Sequence, residues 1–217
     1  MTQSDEEYLV KLREDAAEAK TLISNAKKPE RERMVVRAFL RCIGVQFADN
    51  EIQVEMEEPV DVSFHATRFQ IREVLGDRQR GRELQQREQR YKHAKRLSDL
   101  LEPFTSSKPF SLPEAARFIA GALAGKASRY GVTNCAQLDA LVYMNLKSEH
   151  LCPTLCSLAI DCASDAELHR QGWRSVSMLS LPYGVVLAAR SDAPQFLRDK
   201  IGQALKCWPH ADGWFDP

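Results

Sequence analysis

Apolar side chains recur every three or four residues in two segments near the start of the chain, and this spacing predicts two helices. The first covers residues 5–26, where Ser4 and Glu7 have the spacing of a capping box at its start. The second covers residues 29–43 and is followed by Gly44, a residue type that commonly ends helices.

Three segments after these helices alternate apolar and polar residues with a period of two, which is typical of strands with one buried face. They cover residues 51–58, 60–65 and 68–74. Because short connections join them, the simplest arrangement is an antiparallel meander.

The rest of the pattern alternates between helices and strands. Helices are predicted over 81–101, 111–130 and 194–207 and within 155–171, strands over 138–146, 175–181 and 184–189, and a loop over 104–110. This order predicts an α/β fold, a mixed central sheet with an antiparallel N-terminal meander flanked by helices. We expect residues 1–28 to form a helical appendage and residues 29–217 to form a single domain.

Residues suited to metal and phosphate chemistry lie on the polar face of the predicted meander. Asp61 is on one strand, and Gln70 and Arg72 are on the next. A two- or four-residue loop places Asp61 opposite Arg72, and the longer loop is favoured because residues 66–67 are poor turn formers. A three-residue loop instead places Glu73 opposite Asp61.

These side chains match the donors of a magnesium site. Asp61 offers hard carboxylate oxygens, the Gln70 carbonyl oxygen adds a neutral ligand, and Arg72 can hold a phosphate oxygen. Glu55, on the preceding strand, and Glu32, on the second helix, are further carboxylates. The alternative is an ordinary Asp–Arg pair on a solvated face, worth about 0.2–1 kcal/mol. On either interpretation we expect replacement of Asp61 to leave the fold intact.

A strongly basic segment follows the candidate site. It has eight basic and two acidic side chains, a local net charge of +6, whereas the whole chain of 217 residues is neutral. Such one-sided charge suits contact with nucleic-acid phosphates, and the alternative is a solvated helix with internal ion pairs. The basic residues are Arg78, Arg80, Arg82, Arg87, Arg90, Lys92, Lys95 and Arg96.

Composition adds an expected cellular setting. The N-terminus is acidic and lacks an apolar stretch of signal-peptide length, and no run approaches the roughly 20 apolar residues of a membrane span. We therefore expect a cytoplasmic protein without membrane contact. The six cysteines are expected to be buried thiols, because the group from His150 to Cys162 matches no standard zinc spacing.

The second predicted helix, which carries Glu32, is followed by the three strands of the meander, with Asp61 on the second strand and Gln70 and Arg72 on the third. This order resembles the PD-(D/E)xK nuclease superfamily, which has a restriction-endonuclease-like core. The resemblance covers about residues 30–190, and the whole chain resembles a small bacterial family described as endonucleases of unknown function. It implies that Asp61 is the first metal ligand, that Gln70 replaces an acidic second ligand, and that Arg72 replaces the catalytic lysine. Gln70 lacks the charge of an acid, and a guanidinium cannot act as a base near neutral pH.

The leading hypothesis is a Mg²⁺-dependent nuclease, with Mn²⁺ as the alternative ion, that hydrolyses phosphodiester bonds through a metal-activated water. DNA is favoured over RNA as its partner, and a homodimer is compatible with the sequence. The rival hypothesis is a catalytically inactive module that binds nucleic acid or protein on the same scaffold. The nuclease hypothesis requires the four candidate ligands to converge within about 4–6 Å, because they must share one ion. These ligands are Glu32, Glu55, Asp61 and Gln70.

Overall fold

A computed structural model of the chain describes residues 4–22, 24–75, 80–101, 108–146, 149–152 and 162–207. Within these ranges the helices are α1 (Asp5–Leu22), α2 (Lys28–Cys42), α3 (Arg80–His93), α4 (Leu112–Cys135), α5 (Cys162–Arg170) and α6 (Gln195–Arg198). The strands are β1 (Ile52–Val54), β2 (Val62–Phe64), β3 (Thr67–Val74), β4 (Lys108–Phe110), β5 (Asp139–Met144), β6 (Glu149–Leu151), β7 (Ser175–Ser180), β8 (Tyr183–Ala189) and β9 (Ala204–Lys206).

Seven strands form one mixed sheet in the order β1-β2-β3-β5-β7-β8-β9. The first three pair antiparallel, β3, β5 and β7 pair parallel, and β8 and β9 return antiparallel. The predicted mixed α/β sheet with an antiparallel N-terminal meander is confirmed. The predicted loop over residues 104–110 is wrong for residues 108–110, because these form β4, which pairs with β6 in a small parallel sheet.

Helices bury both faces of the large sheet. On one face, Leu123 of α4 belongs to the same core as Val142 of β5. On the other face, the ring of Phe39 in α2 meets that of Phe69 edge to face, with 6.1 Å between their centroids. The polar face of the meander is therefore not the solvated surface that its alternating pattern predicts, because α4 lies over part of it.

The ends of the N-terminal helices follow their sequence signals. Ser4 and Glu7 exchange the two predicted capping hydrogen bonds at the start of α1, at 3.1 and 3.2 Å. Gly44 follows α2 with a φ of +73°, which favours glycine. The predicted helix over residues 81–101 is too long, because α3 ends at His93.

The predicted helix over residues 194–207 is wrong beyond its first turn. α6 ends at Arg198, and Gly202 then adopts a φ of +73° while its N–H donates to the Val186 carbonyl at 2.9 Å. The residues that follow form β9, which pairs with β8. Pairing with the sheet satisfies the backbone groups that a helix would have satisfied internally.

The N-terminal helix α1 packs against α3. The Arg13 guanidinium donates to the backbone carbonyls of Tyr91 and Ala94, both at 3.0 Å. The division into an appendage over residues 1–28 and a domain over residues 29–217 stays a prediction. No helix in the described ranges is long and apolar enough to cross a bilayer.

The cysteines only partly match the expectation of buried thiols. Cys42 and Cys207 form a disulfide, so the expectation is wrong for this pair. Cys135 is a buried thiol, as expected. Cys156 lies outside the described residues.

A buried carboxylate joins the first residues of the three parallel strands. Asp139 at the start of β5 is fully buried. It accepts hydrogen bonds from the Arg68 backbone N–H at 3.0 Å and the Ser175 hydroxyl at 2.7 Å. Arg174 pairs with it through its guanidinium, with Nε at 3.1 Å. The start of β5 is thereby fixed to both neighbouring strands.

Asp139→Ala should lower the free energy of unfolding by about 3–5 kcal/mol, because it leaves the largely buried Arg174 guanidinium without its carboxylate. Urea denaturation measures this change. Asp192→Ala is the matched control, since it removes a carboxylate from an exposed pair with Arg190 at 3.2 Å. The control should change the free energy by no more than about 1 kcal/mol. Equal effects of the two substitutions would contradict the assigned role of Asp139.

Candidate active site

Four parts of the chain meet at one end of the meander: the first turn of α2, the residue before β2, the middle of β3 and the middle of α4. The polar side chains that they bring into contact are Lys28, Glu32, Asp61, Gln70 and Lys126. Glu32, Asp61 and Gln70 are among the residues that the sequence predicts for the site, whereas neither lysine is.

The Asp61 carboxylate is the centre of this cluster, and its side chain is only 8% exposed. Its Oδ2 accepts hydrogen bonds from the Gln70 side-chain amide at 2.6 Å and from the Ile71 backbone N–H at 2.7 Å. Its Oδ1 lies 3.3 Å from the Lys28 ammonium. The expectation that Asp61 contributes little to the fold is therefore wrong, because its carboxylate satisfies buried donors.

The hairpin that carries Asp61 has a different register from the predicted one. Its two-residue loop consists of His65 and Ala66, one residue earlier than the predicted two-residue loop at 66–67, so that Asp61 meets Gln70 and not Arg72. His65 adopts a φ of +49°, a left-handed conformation that histidine takes more readily than most residues. The pairing differs from the prediction by an even number of residues, so the predicted strand faces are unchanged.

Gln70 connects the carboxylate to a lysine on α4. Its amide N–H₂ donates to Asp61, and its Oε1 accepts from Lys126 Nζ at 2.5 Å. Lys126 Nζ also lies 3.2 Å from the Ile71 carbonyl. Both oxygen and nitrogen of the Gln70 amide are thus already engaged within the protein. The sequence does carry a signal for Lys126, since it is the one charged residue in the Ala/Gly-rich stretch 119–128.

Lys28 lies on the opposite side of Asp61, in the first turn of α2. Its ammonium is 3.1 Å from Glu32 Oε1 and 3.3 Å from Asp61 Oδ1, so one cation bridges two carboxylates. Its side chain is 56% exposed, whereas those of Glu32 and Asp61 are 13% and 8% exposed. The bridge therefore lies at the surface end of the cluster.

The two lysines have pKa values shifted in opposite directions. Burial lowers the pKa of Lys126, and the nearby charges of Arg72 and Lys28 act in the same direction. For Lys28, partial burial also acts to lower the pKa, but the charges and hydrogen bonds of Asp61 and Glu32 outweigh it and raise the pKa. Burial, followed by the charge of Asp61, raises the pKa of the Glu32 carboxyl.

Arg72, the predicted replacement of a catalytic lysine, is exposed and does not contact Asp61 in the observed register. Its charge is nevertheless close enough to affect the pKa of Lys126. Tyr130 lies one turn after Lys126, and burial, followed by the charge of Glu58, raises its pKa. The charges of the cluster thus act on Tyr130, and the charge of Arg72 acts on the cluster.

Glu55 does not join the other candidate ligands. Its carboxylate accepts a hydrogen bond from the Ser63 hydroxyl at 2.6 Å on the neighbouring strand. Among the described residues no three His, Cys, Asp or Glu side chains are grouped so that they could hold a metal ion. The predicted magnesium ligands therefore do not fit a site in this arrangement, because Lys28 bridges Asp61 and Glu32 and Lys126 engages the Gln70 oxygen.

Comparison with known proteins shows the family. A family model described as "Putative endonuclease, protein of unknown function" (DUF1780) matches residues 4–210. The chain belongs to this family. No curated protein matches the sequence significantly.

The fold of this chain is similar to that of a protein of solved structure from Pseudomonas aeruginosa strain PAO1. That structure, of the protein PA4535, is described as a protein of unknown function of the monooxygenase superfamily. The two chains are 27% identical, with a TM-score of 0.64, over 94% of this chain and 96% of the other. The arrangement of the large sheet and its helices is therefore shared by both proteins.

The basic segment of this DUF1780 protein is only partly available for surface contact. Arg90 is engaged inside the fold, since its guanidinium donates to the carbonyls of Leu100 and Leu101 at 2.8 and 3.1 Å. Arg87 donates to the Tyr91 hydroxyl at 2.8 Å. Arg78 lies outside the described part of the chain, and so do the side chains of Arg80 and Arg82. The exposed basic residues at the end of the segment are Lys92, Lys95 and Arg96.

Asp61→Ala should lower the free energy of unfolding by about 2–4 kcal/mol, because it removes the acceptor of two buried donors. Urea denaturation measures the change. The control is Glu55→Ala, which removes an exposed carboxylate from the neighbouring strand and should cost no more than about 1 kcal/mol. A folded Asp61→Ala protein as stable as wild type would contradict the anchoring role of this carboxylate.

Proposed function

We propose that this protein is a nuclease and that it hydrolyses phosphodiester bonds at the cluster around Asp61, Gln70 and Lys126. The observation that carries the proposal is the position of Lys126. This lysine is partly buried, its pKa is lowered, and its Nζ lies 2.5 Å from Gln70 Oε1. Membership of a family described as an endonuclease supports the same reaction class. DNA is the favoured substrate, and a cytoplasmic location remains part of the proposal.

Lys126 has the chemistry of a general base in this proposal. A neutral amine keeps two N–H donors, which suffice for the Gln70 oxygen and the Ile71 carbonyl at 2.5 and 3.2 Å. The remaining lone pair can take a proton from an attacking water. Arg72 is exposed, and its charge is suited to holding a phosphate group close to this amine. The arrangement thus provides a base and a phosphate-binding cation at one site.

The proposal extends to the PD-(D/E)xK superfamily. The helix α2 with Glu32 and the β1–β3 meander follow each other in the order on which the sequence resemblance rests. The resemblance implies that Arg72 replaces the superfamily lysine, but a guanidinium cannot act as a base near neutral pH. We infer that Lys126 supplies this function from a helix instead. Dependence on Mg²⁺, with Mn²⁺ as the alternative, stays a prediction to be tested by metal titration.

The second candidate function is a binding module without catalysis. The engagement of Asp61 by Lys28 and of Gln70 by Lys126 favours it, because both lysines neutralise or occupy the oxygens that a metal would need. Binding of nucleic acid without cleavage, under every metal condition, would support this candidate over the nuclease.

Lys126→Arg should reduce the cleavage rate by about a hundredfold or more, because the guanidinium cannot accept a proton. In the wild-type protein the rate should rise with pH as the Lys126 ammonium loses its proton, and the midpoint should lie below the ordinary lysine value of 10.5. The variant should lack this rise. Initial rates on labelled DNA and RNA across a pH series measure both effects.

Arg129→Gln is the control for this measurement, since Arg129 lies on the same helix and pairs with Glu58 at 2.5 Å on the surface. It should retain the wild-type pH profile. A Lys126→Arg protein that cleaves with an unchanged rate and profile would exclude Lys126 as the base. Absence of cleavage by wild type on every substrate and with every ion would contradict the nuclease proposal itself.

The triple variant Lys92→Gln, Lys95→Gln and Arg96→Gln should weaken nucleic-acid binding by a similar factor for all sequences. Each lost phosphate contact reduces the slope of log K against log salt by roughly 0.9 for duplex DNA. Fluorescence anisotropy across a salt series measures affinity and slope together. The matched control removes three basic residues at or near β8 and β9, in Arg190→Gln, Lys200→Gln and Lys206→Gln. Equal slopes for both triple variants would show that the basic segment does not bind phosphates.

A further inference from the structure

The ammonium of Lys28 holds the position that a cation shared by two carboxylates would take. It lies 3.1 Å from Glu32 Oε1 and 3.3 Å from Asp61 Oδ1, while both carboxylate side chains are largely buried. Two buried carboxylates this close to one point are costly unless a positive charge compensates them. The chain itself supplies that charge.

We propose that Lys28 is a built-in cation that excludes divalent metal ions from the Glu32–Asp61 pair, so that metal binding requires its displacement. The inference deepens the proposed function and rests on it only for the relevance of divalent ions to this site. The support for the inference is geometric, because the Lys28 ammonium already lies between the carboxylates of Glu32 and Asp61. A divalent ion gains access only in competition with that ammonium.

The position of Lys28 allows such displacement. Its side chain is 56% exposed, so the ammonium can move into water without crossing the core. Lys28 is also the first residue of α2 and directly follows the short 3-10 turn Asn25–Lys27. By contrast, Lys126 is bound from the buried side to Gln70 and the Ile71 carbonyl. Of these two lysines, Lys28 is the one that can leave while Asp61 keeps its other hydrogen bonds.

The test is direct measurement of Mn²⁺ binding, without nucleic acid, by electron paramagnetic resonance of the free ion. Lys28→Met removes the ammonium and keeps most of the side-chain volume. It should bind a single Mn²⁺ about tenfold more tightly than wild type, because the ion no longer competes with a positive charge at contact distance. Glu32→Gln added to Lys28→Met should abolish this gain, which assigns the ion to the carboxylate pair.

Lys27→Met is the matched control. It removes the same charge from the preceding residue, where the ammonium pairs with exposed Glu30 at 2.7 Å and not with Asp61. Its Mn²⁺ affinity should equal that of wild type. If Lys27→Met increases the Mn²⁺ affinity as much as Lys28→Met does, the increase comes from the change in net charge alone, and the proposal is overturned.

Equal Mn²⁺ affinities of Lys28→Met and wild type would also overturn the proposal. Thermal unfolding identifies a variant that fails to fold, and Lys28→Gln then replaces Lys28→Met with the same expected gain. Because no substrate is present, the result is independent of cleavage. A protein that never cuts nucleic acid but shows the Lys28-dependent gain would contradict the nuclease proposal alone.

Discussion

The candidate site depends on one buried carboxylate whose hydrogen bonds must all be satisfied. Asp61 accepts from the Gln70 amide and the Ile71 N–H on β3, and it pairs with Lys28 at the start of α2. Through Gln70 it is also connected to Lys126 on α4. A carboxylate whose side chain is only 8% exposed tolerates few vacant acceptor positions, so these partners fix the relative positions of one strand pair and two helices.

Burial also gives two chemically identical ammonium groups different properties. Lys126 is enclosed between α4 and β3, where burial and neighbouring cations lower its pKa. Lys28 is near the surface, and the two carboxylates that it bridges raise its pKa. The difference follows from the balance between lost hydration and nearby negative charge. One lysine is thereby suited to exchange protons and the other to stay protonated.

The chain shares its family and its fold with known proteins. The chain belongs to the DUF1780 family, and its fold is shared by the Pseudomonas protein along nearly the whole length of both chains. A fold can host different reactions, so the side chains at the site decide the function. Here they are a carboxylate, an amide and a lysine contributed by α4.

The sequence by itself determined the meander, the central strands, the starts of most helices and the end of α2, because these depend on local periodicity and on residues such as Ser4 and Gly44. It also determined that Asp61 and Gln70 share a face, since strand alternation survives an even shift in register. Only the tertiary structure decided what covers that face. Lys126 is 56 residues from Gln70 in sequence, and no local pattern connects a helix position to a strand position across such a distance. The strand at residues 204–206 was likewise decided by pairing with β8, which supplies hydrogen bonds from a distant part of the chain.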